Sequence, residues 1–301
     1  MKFTTTANLP VRKPYRLDLT SDALRRLAAN VVDYVDAEGT YQRALADDRG
    51  VNVVAVRQRG SDALDVRLSG RNAQRWMPVV ERMLGTTVSL DGFYRRARTL
   101  PWLRRLSLEL RGLKPPRYPD LWESLAHAIV FQQISIHAAA SIMRRMVELL
   151  AEPVDGPSGA RLFPFPRPRM LLAADVDLLR AAGLSANKIA HLREAAQAVT
   201  SGRLCDAVIE KMDTETAIEH LCAVRGIGRW SAAVVMLRGF GRLDVFPMND
   251  SGVARSIKIV TGNPDVDVDS VLAALGPTRG MLYFHLLLGR LRKIVPEPAH
   301  L

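Results

Sequence analysis

The chain has 301 residues, which is enough for two or three modest domains, each with a buried core. With 48% hydrophobic and 24% charged residues, its composition is that of a folded globular protein and excludes disorder throughout. Lys and Arg outnumber Asp and Glu by 42 to 31, and this net charge of +11 favours polyanionic partners such as nucleic acid.

The first hundred residues predict mixed α and β structure. Turn residues between short apolar runs favour a small antiparallel sheet that carries helices on one face. The predicted elements are a strand at residues 16–19, a helix from Ser21 or Asp22 to about residue 38, strands at 41–45, 51–57 and 64–68, and a helix at 72–84. We assign residues 1–97 to this domain.

Residues 98–301 predict helices almost throughout, because apolar residues recur at spacings of three and four. Residues 121–150 read as two helices broken near Gln133 to Ser135. Residues 151–169 contain five prolines and predict a surface connection. Further helices are predicted at residues 170–182, 186–200, 214–223, 230–237, 251–260, 268–275 and 279–294. The predicted fold class is therefore α+β, with an antiparallel-sheet domain followed by a mostly helical region.

The two cysteines, Cys205 and Cys222, are too few for a disulfide framework or a four-thiolate cluster. No apolar run reaches the roughly 20 residues that a transmembrane helix needs. Residues 1–10 also lack the apolar core of a secretory signal. We therefore expect a cytoplasmic, nucleoid-associated protein without a membrane partner. Nothing in the sequence indicates an oligomer, so we expect a monomer.

A basic run joins the two regions. Residues 95–117 contain eight Lys or Arg residues and one acidic residue, Glu109. Such a run predicts contact with a phosphate backbone or an acidic partner, and a solvated basic face without a partner is the alternative.

The most specific motif lies in residues 221–257. One helix is predicted to turn through Val224-Arg-Gly-Ile-Gly228 into a second helix that begins at Arg229 or Trp230. Glycines tolerate positive φ and let a phosphate approach the backbone, and a helix start presents N–H donors and the positive end of its dipole. A tight turn without a ligand is the alternative. The residues predicted to bind DNA phosphate are Arg225, Gly226, Ile227, Gly228 and Arg229.

Asp250 follows this motif at the end of a loop that contains Gly239, Gly241 and Pro247. A helix is predicted from Ser251, so the position of Asp250 by itself favours a helix N-cap.

In this order, the helix, Gly-hydrophobic-Gly hairpin, helix, Gly/Pro-rich loop and Asp resemble helix-hairpin-helix DNA glycosylases. The similarity is strongest to the AlkA-like branch, the 3-methyladenine DNA glycosylase II family. Residues 121–135, 182–189 and 279–285 are also similar to that branch. The resemblance implies a TATA-binding-protein-like N-terminal domain and a glycosylase core of two helical subdomains with the active-site cleft between them.

The resemblance implies a monofunctional enzyme that flips alkylated bases of the 3-methyladenine type out of double-stranded DNA and excises them. Asp250 would be the carboxylate that stabilises an oxocarbenium-like sugar, with or without activating water. Trp230 would line the base pocket, unless it is simply a core residue, and Phe131 and Trp122 are further aromatic candidates. In bifunctional relatives a Lys nucleophile occupies the position of Trp230, so AP-lyase activity is not expected.

Two further roles follow from the resemblance. Gln132 and Gln133 stand where the family places side chains that fill the gap left by the flipped base, although a Gln pair at a helix break is an equal alternative. The carbonyls of Cys222, Val224 and Ile227 correspond to a backbone site for Na⁺ or K⁺ when DNA is bound. No other cofactor and no side-chain metal site is expected.

The sequence also departs from the family pattern. Arg225 stands where Pro is usual, and Val234, Ser251 and Thr278 stand at positions read as aromatic in the AlkA-like pattern. We therefore expect a less aromatic pocket. The alternatives are a glycosylase for oxidised or deaminated purines and a non-catalytic helix-hairpin-helix protein that binds damaged DNA.

Overall fold

The structure is a computed structural model that describes residues 3–70, 72–248 and 251–294. It confirms the predicted α+β class, because an antiparallel sheet near the N-terminus is followed by a mainly helical region. The sheet contains β1 (Phe3–Pro10), β2 (Asp33–Val35), β3 (Tyr41–Asp47), β4 (Gly50–Arg59) and β5 (Ala63–Ser69). Their order is β1-β5-β4-β3-β2, and every neighbouring pair is antiparallel.

Alternation along the strands directs one face of this sheet into a small core. Leu64, Val66 and Leu68 of β5 are each fully buried, while the residues between them are more exposed. Two helices cover that face, α1 (Leu17–Arg25) and α2 (Met77–Leu84). A sheet with helices on one face is the arrangement that the sequence predicts for this region.

The prediction is wrong in two details near the N-terminus. Residues 17–19 begin α1 and are not part of a strand, and α1 ends at Arg25 and not near residue 38. Arg26 follows with a positive φ of 61°. Strands β1 and β2 were missed, because β1 is rich in Thr and ends at Pro10, and β2 has only three residues.

The remaining elements are mostly helices. They are α3 (Asp91–Ala97), α4 (Pro101–Glu109), α5 (Leu121–Val130), α6 (Ile136–Leu150), β6 (Val154–Asp155), β7 (Arg161–Leu162), α7 (Pro168–Ala173), α8 (Val176–Ala181), α9 (Ala186–Thr200), α10 (Asp206–Ile209), α11 (Thr214–Cys222), α12 (Arg229–Arg238), α13 (Ser251–Thr261), α14 (Val268–Leu275) and α15 (Gly280–Leu291).

The predicted surface connection at residues 151–169 is partly buried. It contains the β6–β7 pair, and Leu162 packs with Ala44 and Val53 on the second face of the sheet. The predicted single helix at 170–182 is two short helices, α7 and α8, because Asp175 caps a new helix by accepting from the N–H of Asp177. The connection therefore joins the sheet to the helical region.

Helix α5 lies at the centre of the helical region. All ten of its residues are buried, and it packs against α6, α9 and α12. Its N-terminus is capped by Asp120, whose side chain accepts from the N–H of Glu123. Because α5 is fixed on all sides, the turn that follows it, residues 131–135, starts from a rigid base.

Residues before the predicted boundary at 97/98 also pack into the larger core. Phe93 and Ala97 of α3 and Leu19 and Ala23 of α1 belong to that helical core. No single helix of the described chain has both the length and the apolarity to cross a membrane. The bent pair formed by residues 268–278 and 280–291 meets those two criteria only when its helices are taken together.

Candidate nucleic-acid interface

The predicted hairpin is formed by α11, the turn at residues 223–228 and α12. Asp213 caps α11 by accepting from the N–H of Thr216. In the turn, the N–H of Ile227 donates to the carbonyl of Val224 over 3.1 Å, and both side chains are buried. The apolar residues of the turn therefore anchor it to the core and leave its outer side to solvent.

The two glycines of the hairpin have different physical roles. Gly226 adopts φ +91°, and a Cβ there would lie 2.2 Å from Cγ of His191 on α9, so the fold itself requires glycine. Gly228 has an extended backbone (φ −90°, ψ 174°), and a Cβ there would meet nothing within 4 Å. Positive φ is thus needed at Gly226 alone, and the open space lies over Gly228.

Gly228 is also the N-cap of α12 and provides no side-chain cap. The first N–H groups of a helix have no carbonyl partner within it, so the start of α12 presents donors and the positive end of a dipole. Arg225 is exposed beside this position, and Arg229 is exposed and paired with Glu215 over 2.5 Å. The turn therefore has the open backbone and the charge that an anion site needs.

Gln132 connects the end of α5 to this hairpin. Its Nε2 donates to the carbonyl of Gly226 over 2.9 Å and to Oγ of the buried Ser231 over 2.7 Å. The next residue, Gln133, is exposed and has φ +57°. The predicted pair is thus divided: Gln132 is held inside the structure, and Gln133 projects from a left-handed turn beside the hairpin.

Lys188 of α9 fixes the same turn from the other side. Its ammonium donates to the carbonyls of Ile129, Val130 and Gln132 over 2.8–2.9 Å, at the end of α5 and in the turn that follows it. Partial burial lowers the pKa of Lys188. We define the plug turn as residues 131–135; Lys188 and Gln132 join it to α9 and to the hairpin.

A pocket opens directly beside the plug turn. It lies between the end of α1, α5 and α6, and Phe131, the residue before Gln132, is part of its wall. The guanidinium of Arg26 lies over the Phe131 ring at 4.7 Å from its centre, and Nη2 of Arg26 donates to the hydroxyl of Tyr283 over 3.4 Å. The pocket wall at Arg26 is therefore formed by the N-terminal region, and α15 contacts that residue through Tyr283.

Behind Phe131 is a stack of rings. His127 lies one turn earlier on α5, with its ring 5.7 Å from Phe131 and 4.3 Å from Tyr118. The guanidinium of Arg238 lies over the Tyr118 ring, 4.8 Å from its centre. Burial, together with the charges of Arg26, Arg238 and Arg43, lowers the pKa of His127 well below its ordinary value, so its ring is neutral.

The other predicted aromatic residues are not brought to this wall. Trp122 is 4% exposed, and its indole N–H donates to the carbonyl of Pro166 over 2.8 Å, which is a core position. Trp230, in the first turn of α12, is half-buried against the helical core. Asp250, the predicted catalytic residue, lies outside the described residues.

The basic run at residues 95–117 separates in the structure. Lys114 is buried and donates to the carbonyl of Val88 over 2.6 Å, and burial lowers its pKa to about 8. Arg117 donates to the carbonyl of Gly239 over 2.8 Å. These two cations hold loops together. The exposed cations of the run, which remain predicted phosphate contacts, are Arg95, Arg98, Arg104, Arg105 and Arg111.

The predicted alkali-ion site consists of backbone carbonyls in the hairpin. Carbonyl oxygens are suitable ligands for Na⁺ and K⁺, and each carbonyl oxygen has two lone pairs. The Val224 carbonyl uses one of them for the N–H of Ile227. Among the described residues, no group of three or more His, Cys, Asp or Glu side chains is placed to hold a metal ion.

Sequence reasoning missed Arg26, Tyr283 and His127. Arg26 was not predicted as a site residue, because the sequence predicts a helix that continues to about residue 38. That helix places no turn at residue 26. His127 and Tyr283 are each on a helix whose pattern is that of a buried core. Only their packing against Arg26 and Phe131 reveals the pocket.

Comparison with known proteins identifies a family. Residues 126–275 match the HhH-GPD superfamily of base excision DNA repair proteins. The chain is 32% identical over 233 residues to DNA-3-methyladenine glycosylase 2 of Escherichia coli, covering 74% of this chain and 78% of that one. It is 29% identical over 171 residues to DNA-3-methyladenine glycosylase of Bacillus subtilis, where the match covers 57% of this chain and 56% of the relative.

The fold is also similar to a solved structure, the 3-methyladenine DNA-glycosylase of Archaeoglobus fulgidus. The TM-score is 0.79 at 23% identity, over 94% of this chain and 98% of that one. The hairpin, the plug turn and most of the helical core lie within the matched residues 126–275. The chain belongs to the HhH-GPD superfamily of base excision DNA repair proteins.

Proposed function

We propose that this protein is a monofunctional DNA glycosylase that excises alkylated bases, of the 3-methyladenine kind, from double-stranded DNA. The observation that carries the proposal is the open backbone at Gly228, at the start of α12 and beside Arg225. The same hairpin is hydrogen-bonded to the plug turn through Gly226 and Ser231. The names of the relatives supply the alkylated-base class.

In this proposal the hairpin grips a phosphate of the damaged strand. Backbone N–H groups at the start of α12 and the side chain of Arg225 bind the phosphate, which needs the approach that a glycine at 228 leaves open. Gln133 then fills the space of the extruded nucleotide. Gln132 joins the plug turn to the hairpin turn. The site that binds the phosphate and the residue that fills the gap are therefore held at a fixed distance from each other.

The chemistry is hydrolysis at the sugar. The bond from C1′ to the base nitrogen breaks, its electron pair leaves with the base, and a bond forms from C1′ to a water oxygen. A base that was cationic leaves as a neutral molecule, and the water loses a proton. Asp250 is the carboxylate assigned to the positive charge that develops on the sugar and to receiving that proton.

Strand cleavage is not part of the proposed reaction. A glycosylase/lyase attacks C1′ with an amine, and Trp230 offers none at the position of that nucleophile. Lys188, which is near the plug turn, donates to three carbonyls at and just after the end of α5. Neither Trp230 nor Lys188 therefore offers an amine for attack on C1′. This supports hydrolysis without strand cleavage.

Backbone carbonyls of Cys222, Val224 and Ile227 would hold Na⁺ or K⁺ once DNA is bound. Such an ion supplies positive charge to the same phosphate, and the turn that presents the carbonyls is kept in place by the buried Ile227.

The test is release of free base from alkylated duplex DNA by wild type and by Asp250→Asn. We expect the variant to lose at least about a hundredfold in rate while keeping its DNA affinity, and the product strand to break only after alkali treatment. Asp244→Asn is the matched control: this exposed carboxylate in the same loop accepts from Thr214 over 2.7 Å. Full-rate release by a folded Asp250→Asn would refute the assignment.

A further inference from the structure

An ion pair holds the first side chain of α12 against α11. Arg229 directly follows Gly228, and its Nη2 donates to Oε1 of Glu215 over 2.5 Å. Glu215 lies in the first turn of α11, seven residues before Cys222, the last residue of that helix. At 1.5 Å per residue, Glu215 is roughly 10 Å along α11 from the point where the hairpin turn begins. The guanidinium of Arg229 is thus drawn back along α11.

Both partners of this pair are exposed to solvent. The side chains of Arg229 and Glu215 have relative exposures of 68% and 58%. An ion pair between two exposed side chains contributes little to stability, because water screens the charges and two flexible side chains lose freedom. A stronger ligand for the guanidinium can therefore break the pair at little cost to the fold.

A second carboxylate adds to the hold of α11 on this arginine. Glu219 lies one helical turn after Glu215, and both carboxylates are exposed. The hydrogen bond and the charge of Glu215, with smaller contributions that include the charge of Glu219, raise the pKa of Arg229. The side of α11 that holds Arg229 thus carries two negative charges, in a chain whose net charge is +11.

A DNA phosphate at the hairpin would be the stronger ligand. A phosphate can accept two parallel hydrogen bonds from one guanidinium, and the duplex presents a dense row of such charges. Because Arg229 is the residue after Gly228, its side chain begins beside the backbone N–H groups that the proposed function assigns to a phosphate. A guanidinium released by Glu215 can therefore bind at the same stretch of the strand.

We infer that Glu215 and DNA compete for Arg229: the guanidinium leaves Glu215 when the hairpin binds a phosphate, and Glu215 thereby limits the affinity for any duplex. The inference rests on the DNA-binding part of the proposed function and adds an internal competitor to it. A phosphate contact carries no information on sequence. The competition therefore lowers the affinity for undamaged DNA, which a repair protein has to leave repeatedly while it searches.

The experiment is a double-mutant cycle of residues 215 and 229 on a short undamaged duplex, with dissociation constants measured by fluorescence anisotropy over a range of salt concentrations. We expect Glu215→Gln to raise the affinity about fivefold at low salt. The gain should shrink as salt is added, because the charges are exposed. Arg229→Gln should lower the affinity about twofold or less in wild type and at least about fivefold in the Glu215→Gln background.

The matched control is Glu194→Gln, which removes the carboxylate from the ion pair that Glu194 forms with Arg203, also over 2.5 Å. This variant should bind the duplex like wild type. An equal gain in affinity for Glu194→Gln would show that only the net charge matters, and would overturn the inference. A gain in Glu215→Gln that is the same with and without Arg229 would show direct repulsion between Glu215 and DNA, and would overturn it too.

Base release by wild type separates this inference from the proposed function. If wild type releases base from alkylated DNA and the cycle shows no coupling between residues 215 and 229, the inference fails and the glycosylase proposal stands. If wild type releases no base, the catalytic proposal fails, while the affinities for undamaged duplex still decide whether Glu215 competes for Arg229.

Discussion

Nε2 of Gln132 lies 2.9 Å from the carbonyl oxygen of Gly226 and donates to it, so the residue before the projecting Gln133 is bonded directly to the hairpin turn. The two turns are far apart in sequence, and each is rigid for its own reason. Gly226 is packed against His191, and the end of α5 is held by Lys188. In the proposed function, strand gripping and base replacement would therefore depend on one connected unit formed by α5, α9 and α12.

Lys188 tests this unit. Lys188→Met keeps the length of the side chain but removes its hydrogen bonds to three carbonyls at and just after the end of α5. We expect a loss of about 1–2 kcal/mol in the free energy of unfolding, measured by urea denaturation. Base release should fall about tenfold at saturating enzyme, because Gln133 is no longer held at a fixed distance from the hairpin.

The control for this variant is Lys211→Met, which makes the same change at an exposed position after α10. It should match wild type in both stability and base release. A Lys188→Met protein with wild-type release and a wild-type unfolding midpoint would show that the three hydrogen bonds do not position the plug turn.

The hairpin glycines allow binding to be separated from folding. Gly228→Ala has open space and an allowed backbone, so we expect an unchanged melting temperature. Its added methyl group would stand in the open space that the proposed phosphate site needs. DNA affinity should fall about tenfold, and the slope of log affinity against log salt should decrease by about one phosphate contact.

Gly226→Ala should behave in the opposite way. The added Cβ collides with the His191 ring at a positive φ, so we expect at least about 2 kcal/mol of lost stability before any effect on binding is considered. If Gly228→Ala binds DNA with the affinity and salt slope of wild type, the phosphate site must be placed elsewhere on the protein.

Local patterns were sufficient for the hairpin and insufficient for the pocket. The Gly-x-Gly turn, its helices and the strands at β3–β5 follow from short-range periodicity and turn residues, and all are present. The pocket depends on Arg26 meeting Phe131 and Tyr283, residues separated by about a hundred positions or more. Such contacts are set by tertiary packing, which no local pattern encodes.

The end of α1 shows the physical reason most clearly. Residues 26–32 lack a glycine or proline to mark a helix end, and the predicted helix therefore ran on. In the structure Asn30 accepts from the N–H groups of Val32 and Asp33 and turns the chain into β2. An Asn turn within an apolar sequence is a weak signal, yet it sets the position of Arg26.

A buried ion cluster connects the sheet to α5. Arg43 of β3 is 1% exposed; it donates to Asp33 over 2.8 Å and to Glu123 of α5. Arg43→Met would leave two carboxylates buried without their cation, and we expect a loss of about 3–5 kcal/mol in the free energy of unfolding. Changing Glu123 to Gln in addition should restore part of that loss. A loss below about 1 kcal/mol in the single variant would contradict the proposed coupling.

His285 gives the fold a defined acid sensitivity. It is fully buried on α15, its Nδ1 is 2.8 Å from the Met281 carbonyl, and its ring packs on Phe93 at 4.6 Å. Burial lowers the pKa of His285 from 6.5 to about 4. The folded state therefore favours the neutral ring, and the unfolded chain binds a proton first as the pH falls.

The resulting stability is present above about pH 6.5 and is lost as the pH falls through 4, by about 3 kcal/mol in total. His285→Phe keeps an aromatic ring against Phe93 and removes the titration. Urea unfolding at pH 7.5 and pH 4.5 should show a smaller loss for the variant than for wild type, since the carboxylates that also titrate are common to both. Equal losses in the two proteins would mean that folding does not disfavour the protonation of His285.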